Sequence, residues 1–145
     1  SDSNNSKTLI ELCQYHLAKN NKEKALEYFE AAHQLEPDNF GVLRNVMLLY
    51  LDLKKYNLAN DKSAEVLEKY PSQPLFYLIN GVALNELNQP KKALVSLDTG
   101  LDYIIEDPKM EADFYNQLSK AYTLLNNTVK AKAFTDKAKQ IETSN

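Results

Sequence analysis

Two histidines, one cysteine and twenty Asp and Glu residues are the groups of this 145-residue chain that could do chemistry. A zinc site would draw its ligands in close pairs, such as His-x3-His or Cys-x2-Cys. His16 and His33 are far apart and Cys13 is alone, so neither spacing exists, and no metal or cofactor is expected. Cys13 reads as a packing thiol rather than a nucleophile. A single cysteine allows no internal disulfide and leaves the redox compartment open. No glycine-rich turn follows a strand pattern, so a phosphate-cradling loop is set aside. Glu27, Glu30, Asp61 and Glu65 recur at helical spacing and read as a solvated face. No catalytic constellation can be assembled from these residues, and an enzyme is not expected.

The elements that would carry them are helical. Three glycines and five prolines are the only strong breakers, and Ala, Leu, Lys, Glu, Asn and Gln dominate. A net charge of −3 with interspersed signs points to neither nucleic acid nor a basic membrane patch. Arg44 is the single arginine among seventeen Lys and Arg, which disfavours forked recognition of anions. This lysine and asparagine bias fits an AT-rich bacterial genome. No apolar run is long enough to span a membrane. The polar opening, Ser-Asp-Ser-Asn-Asn-Ser without an initiator Met, suggests a trimmed or mature product. No targeting segment is visible, so a cytoplasmic and an exported or periplasmic location stay equally open.

The apolar residues repeat at a fixed period. Ala25, Ala59 and Ala93 lie 34 residues apart, and Ala131 follows 38 later. Phe29, Ser63, Leu97 and Thr135 sit four residues beyond them, then Ala32, Val66, Gly100 and Ala138, and Pro37 and Pro71 close the first two units. Upstream, Leu9, Leu12, Cys13 and His16 align with Leu43, Val46, Met47 and Tyr50. They align again with Tyr77, Asn80, Gly81 and Leu84, and with Tyr115, Leu118, Ser119 and Tyr122. In this register His16 takes an aromatic position and packs as a ring, and Cys13 takes a small one. Spacings of three, four and seven make one helix face, so each unit predicts two helices of roughly 14 residues. Glu36-Pro37 and Tyr70-Pro71 stop helices. Pro90 and Pro108 suit first turns, with Asp107 as an N-cap. Four extra residues around Ile104–Asp107 lengthen the third unit's second helix or the loop after it, and should turn the fourth unit slightly.

The pattern resembles the tetratricopeptide signature, W-x2-L-G-x2-Y followed by A-x3-F, then A and P. The expected repeats are about 6–39, 40–73, 74–107 and 112–145 of a single domain spanning 1–145. Each is degenerate: Leu9, Leu43, Tyr77 and Tyr115 stand in the Trp position, and only Gly81 keeps the Gly. The fold implied is all-α, a right-handed superhelical solenoid of four helix-turn-helix repeats. Its first helices line a concave side, and its small alanines permit close helix contacts.

The function the resemblance implies is non-catalytic: an adaptor, scaffold or chaperone-like module that holds a peptide or helix of a partner protein. Counting along the first helices places Lys7, Ile10, Gln14 and Leu17 inward in the first unit, and Asp113, Asn116, Gln117 and Lys120 in the fourth. The middle units supply the expected partner-binding groove. Leu48, Leu51, Leu75, Leu78, Ile79 and Val82 form its apolar strip, with Arg44, Asn45 and Asn85 at the rim. Alternatively, some of these side chains pack between adjacent first helices. Some relatives clamp a terminal carboxylate with Lys, Asn, Asn, Lys and Arg. The matching positions are Ile10, Gln14, Asn45, Leu75 and Ile79, and only Asn45 agrees. An apolar or amphipathic segment is therefore the expected ligand.

The second reading is structural: one section of a longer solenoid, or a module that self-associates through its first helix, where Ile10, Tyr15 and Leu17 lie beyond the core face. The last helix, Val129 to Ile141, has the lysine-rich outer surface of a terminal cap (Lys130, Lys132, Lys137, Lys139). Pro74–Tyr122 resembles the closing repeats of longer bacterial tetratricopeptide proteins, some of them exported and lipid-anchored. The expectation is a C-terminal portion of a longer chain.

Overall fold

A computed structural model describes residues 2–144; Ser1 and Asn145, the ends of the expected domain, lie outside them. The described residues form eight α-helices, 81% of the chain, and no strand. They are α1 (Asp2–Ala18), α2 (Lys22–Leu35), α3 (Phe40–Asp52), α4 (Tyr56–Lys69), α5 (Pro74–Glu86), α6 (Pro90–Leu101), α7 (Pro108–Leu124) and α8 (Thr128–Ser144). Two compact units divide them, Ser1–Lys55 and Tyr56–Asn145.

The turns inside the helix pairs share one design. Asn20, Lys54, Asn88 and Asn126 take left-handed φ values of 58°, 59°, 58° and 60°. The next residue in each case donates its amide back to the carbonyl five before it: Asn21 to His16, Lys55 to Tyr50, Gln89 to Leu84 and Asn127 to Tyr122. This six-to-one bond caps orphan carbonyls at a helix end, and asparagine tolerates the left-handed conformation better than most residues. Side-chain caps start α2, α7 and α8, whereas Gln89 before α6 makes none. Asn21 accepts from Lys24 N at 3.3 Å, Asp107 from Met110 N at 3.0 Å and Asn127 from Lys130 N at 3.1 Å. Pro74, Pro90 and Pro108 each occupy a first turn, where a missing amide hydrogen costs nothing.

In the first unit, α2 packs on both α1 and α3. Ala25 and Ala32 are fully buried, beside Phe29 and Leu26 on the same helix. The Tyr50 hydroxyl donates to Glu30 Oε2 at 3.0 Å, tying α3 to α2. Glu30 is therefore a partner of the packed tyrosine, whereas Glu27, Asp61 and Glu65 are solvated as expected. Burial, then the bond to Glu30, pushes the Tyr50 phenol up to about 12.

In the second unit, Leu84, Ala93, Leu97, Phe114, Leu118 and Ala121 form a buried cluster. The small residues have a clear steric role there. A Cβ on Gly100 would lie 2.4 Å from Tyr77 Cβ and 2.7 Å from Phe114 Cε1, and one on Gly81 would lie 2.4 Å from Leu97 Cδ2. At α8, Phe134 stacks on Tyr122 at 5.7 Å, and Lys130 and Lys137 cover the Tyr122 and Tyr115 rings. The four extra residues fall in the loop after α6, not in the helix: α6 is only 12 residues long, and Ile104 packs on the core while Ile105 is 85% exposed.

Candidate functional site

Two of the residues able to do chemistry, His16 and Cys13, are taken up by packing. His16 stacks on Tyr28 with centroids 5.4 Å apart and 17° between planes. Cys13 has no exposed surface, and burial pushes its thiol up to about 12, far from a thiolate nucleophile at neutral pH. Among the described residues no three His, Cys, Asp or Glu side chains could hold a metal ion together, and no helix is long and apolar enough to cross a membrane.

The first-helix faces remain, and each unit presents its own. On α3, Val42, Leu43, Val46, Met47, Leu49 and Tyr50 are buried. Arg44, Leu48 and Leu51, at steps of four and three, fall on another face. Arg44 is exposed, Leu48 is 38% exposed, and Asn45 and Leu51 are half-buried. On α5, Leu75, Leu78 and Val82 are half-buried at steps of three and four.

Two expected groove residues are not on either surface. Ile79 is 1% exposed, because one step of helix rotation from Leu78 turns it into the packed side of α5. Asn85 is 2% exposed; its Nδ2 donates to the Gln117 backbone oxygen at 3.0 Å and to Gln117 Oε1 at 3.1 Å. It is a buried strut between α5 and α7, not a rim group. Glu86 and Lys120 pair beside it across the same two helices. Gln117 and Lys120, both half-buried, thus stand next to the α5 strip, while Asn116 bonds Glu142 of α8 at 3.3 Å.

Sequence reasoning passed over a polar floor between α4 and α5. Asn80 Nδ2 donates to Asn60 Oδ1 at 2.9 Å and to Ser63 Oγ at 3.0 Å. Its signal was legible: Asn80 takes the position of Leu12, Val46 and Leu118, and Ser63 takes that of Phe29 and Leu97.

Residues 6–39 match a family model described as tetratricopeptide repeat. No curated protein matches by sequence. Solved structures resemble the chain closely in shape. MamA 41-end from Desulfovibrio magneticus RS-1 is 19% identical with a TM-score of 0.80, over 96% of this chain and 76% of its own. The structure MamA MSR-1 C2 is 22% identical with a TM-score of 0.76, over 96% and 78%. BtubC (BKLC) from P. vanneervenii is 20% identical with a TM-score of 0.79, over 96% and 63%. At such identities the likeness speaks for the fold. Residues 6–39 are a tetratricopeptide repeat by sequence, and the chain has the all-α fold of the tetratricopeptide-repeat solenoids.

Proposed function

We propose that this chain is a non-catalytic protein-interaction module whose first-helix faces hold an apolar or amphipathic peptide or helix of a partner. The observation that carries the reading is the leucine left uncovered on α3. Six other residues of that helix are already buried, yet Leu48 remains 38% exposed, one helical turn from the exposed Arg44. Leu75, Leu78 and Val82 give α5 a similar half-covered strip, and Gln117 and Lys120 offer polar groups next to it. Covering such leucines releases water at about 25 cal/mol per Å2, and the polar neighbours orient more than they bind. Ile10, Leu75 and Ile79 stand where a carboxylate clamp would need its lysines and arginine, which favours an apolar ligand.

Photo-reactive residues at Leu48, Leu75 and Val82, with Asp61 and Lys132 as second-helix controls away from both first-helix faces, test the reading in the full chain. Cross-links to one partner from the first-helix positions alone are expected. Leu48→Asp with Val82→Asp should abolish that capture while helix content holds. Equal cross-linking from the controls, or capture undiminished in the folded double variant, would refute it. Self-association through α1 is the second reading, favoured by Tyr15 at 57% and Leu17 at 39% exposure. Sedimentation of Tyr15→Lys with Leu17→Lys against the parent chain distinguishes it.

A further inference from the structure

A cleft of about 560 Å3 opens in the second unit, walled by α4 and α6 and floored by α5. Ala64 and Ser96 put small side chains on its α4 and α6 walls, and Ser63, itself fully buried, is bonded to the Asn80 of the floor. Tyr77, Leu84, Leu67 and Val95 give the cleft apolar walls, and Val95 is 68% exposed.

Glu68, Gln89 and Lys92 also line the cleft; its hydroxyls and the Asn80 amide share one character. Ser96 spends its hydroxyl proton on the Tyr77 carbonyl at 3.1 Å, and Thr99 spends its own on the Val95 carbonyl at 2.7 Å. Beneath them, Ser63 donates to the Asn60 carbonyl at 3.0 Å. Asn80, buried except for 8% of its surface, commits its amide hydrogens to Asn60 and Ser63. A hydroxyl that has donated still has lone pairs, and an amide that has donated still has its carbonyl oxygen. The floor therefore offers acceptors to whatever enters.

We propose that this cleft is a second binding site, separate from the first-helix faces, for an aromatic side chain bearing a hydrogen-bond donor, a tyrosine or tryptophan of a partner peptide. An aromatic ring lies against Tyr77, Leu67 and Val95 over the small Ala64, and its phenol or indole hydrogen meets the acceptors of Asn80, Ser96 and Thr99. A phenylalanine fits the walls but covers the acceptors without offering them a donor.

Amide-resolved NMR of the full chain, titrated with N-acetyl-tyrosinamide, N-acetyl-tryptophanamide and N-acetyl-phenylalaninamide, tests this. Saturable millimolar shifts at Asn60, Asn80, Ser96 and Thr99 are expected for the first two. The phenylalanine amide should bind about fivefold more weakly, the worth of one net hydrogen bond. Ser63→Phe with Asn80→Leu fills the cleft and should abolish the shifts. Ala64→Leu, at an exposed wall position, should weaken them severalfold without touching the fold, and so decides the matter if the double variant is unstable. Equal affinity for the phenylalanine amide, shifts centred on α3 or on Leu75 and Val82, unsaturable binding, or full binding by Ala64→Leu would each overturn the proposal.

Discussion

Two glycine-to-alanine changes with the same chemistry should move stability in opposite directions. Alanine is favoured over glycine inside a helix by up to about 1 kcal/mol. At Gly41, in the first turn of α3, the nearest atom to an added Cβ is Asn39 Oδ1 at 3.5 Å, an ordinary contact. Gly41→Ala should therefore stabilise the chain by about 0.5 kcal/mol. At Gly100 the same methyl meets Tyr77 Cβ at 2.4 Å and two Phe114 ring atoms at 2.7 and 2.8 Å. Tyr77 Cβ is fixed to the α5 backbone and cannot rotate away, and Phe114 has no exposed surface to retreat into. Restoring normal contact needs a helix shift on the order of 1 Å, and overpacking of this kind costs about 1–3 kcal/mol. Set against the propensity gain, Gly100→Ala should lose about 1–2 kcal/mol, roughly 4–8 °C in Tm, while Gly41→Ala gains a degree or two. Thermal melts by circular dichroism, with urea midpoints as a second measure, read both. Gly100→Ala as stable as Gly41→Ala would show that α6 does not approach α5 and α7 this closely.

Lys54 is the one non-asparagine at the repeated left-handed turn position, so Lys54→Gly should stabilise by about 0.5–1 kcal/mol in urea unfolding, whereas Asn88→Gly should do little. Ala93→Leu, at a fully buried contact, should cost about 1–3 kcal/mol, and an unchanged melt would break the register. Asn85→Ala removes the donor that ties α5 to the Gln117 side-chain and backbone oxygens and should cost about 1–2 kcal/mol. The Cys13 thiol is raised by burial from 9.0 to about 12, and Tyr50 from 10.0 to about 12. The unfolded chain gives up these protons first, so stability present below pH 9 should fall as pH rises from about 9 to 12. Urea midpoints across that range, with Cys13→Ala flattening part of the slope, check it.

The periodicity exposed the helices because stacking demands small residues at fixed steps, and Ala25, Ala59 and Ala93 announce those steps. Asp107 and Pro108 marked the start of α7 for the same local reason, since caps and first turns depend on neighbours in sequence. The faces were harder. Counting along a helix places Leu78 and Ile79 on one surface, but how much of that surface a neighbouring helix covers depends on interhelical distance, which spacing does not encode. Asn85 looked like a rim amide because its partner Gln117 lies in another repeat. The shared turn geometry went unread, because one lysine among three asparagines hides a common backbone shape. The acceptor floor was visible as two polar residues in apolar positions, and its meaning depends on where each proton goes.

That floor bears on how the chain comes apart. In a stacked array, unfolding is cooperative only as far as neighbours reinforce one another across their seams. Within the second unit, α5, α6 and α7 close on the cluster around Leu97 and Phe114, whereas α4 and α5 meet over Asn60, Ser63 and Asn80, with a hollow above them. Each such hydrogen bond nets only about 1 kcal/mol, against the 1.5–3 kcal/mol of a fully buried leucine or phenylalanine. The α4–α5 seam is thus where the second unit should open first. Amide exchange there should proceed through partial openings that leave α6, α7 and α8 folded, so the second unit melts in steps rather than as one.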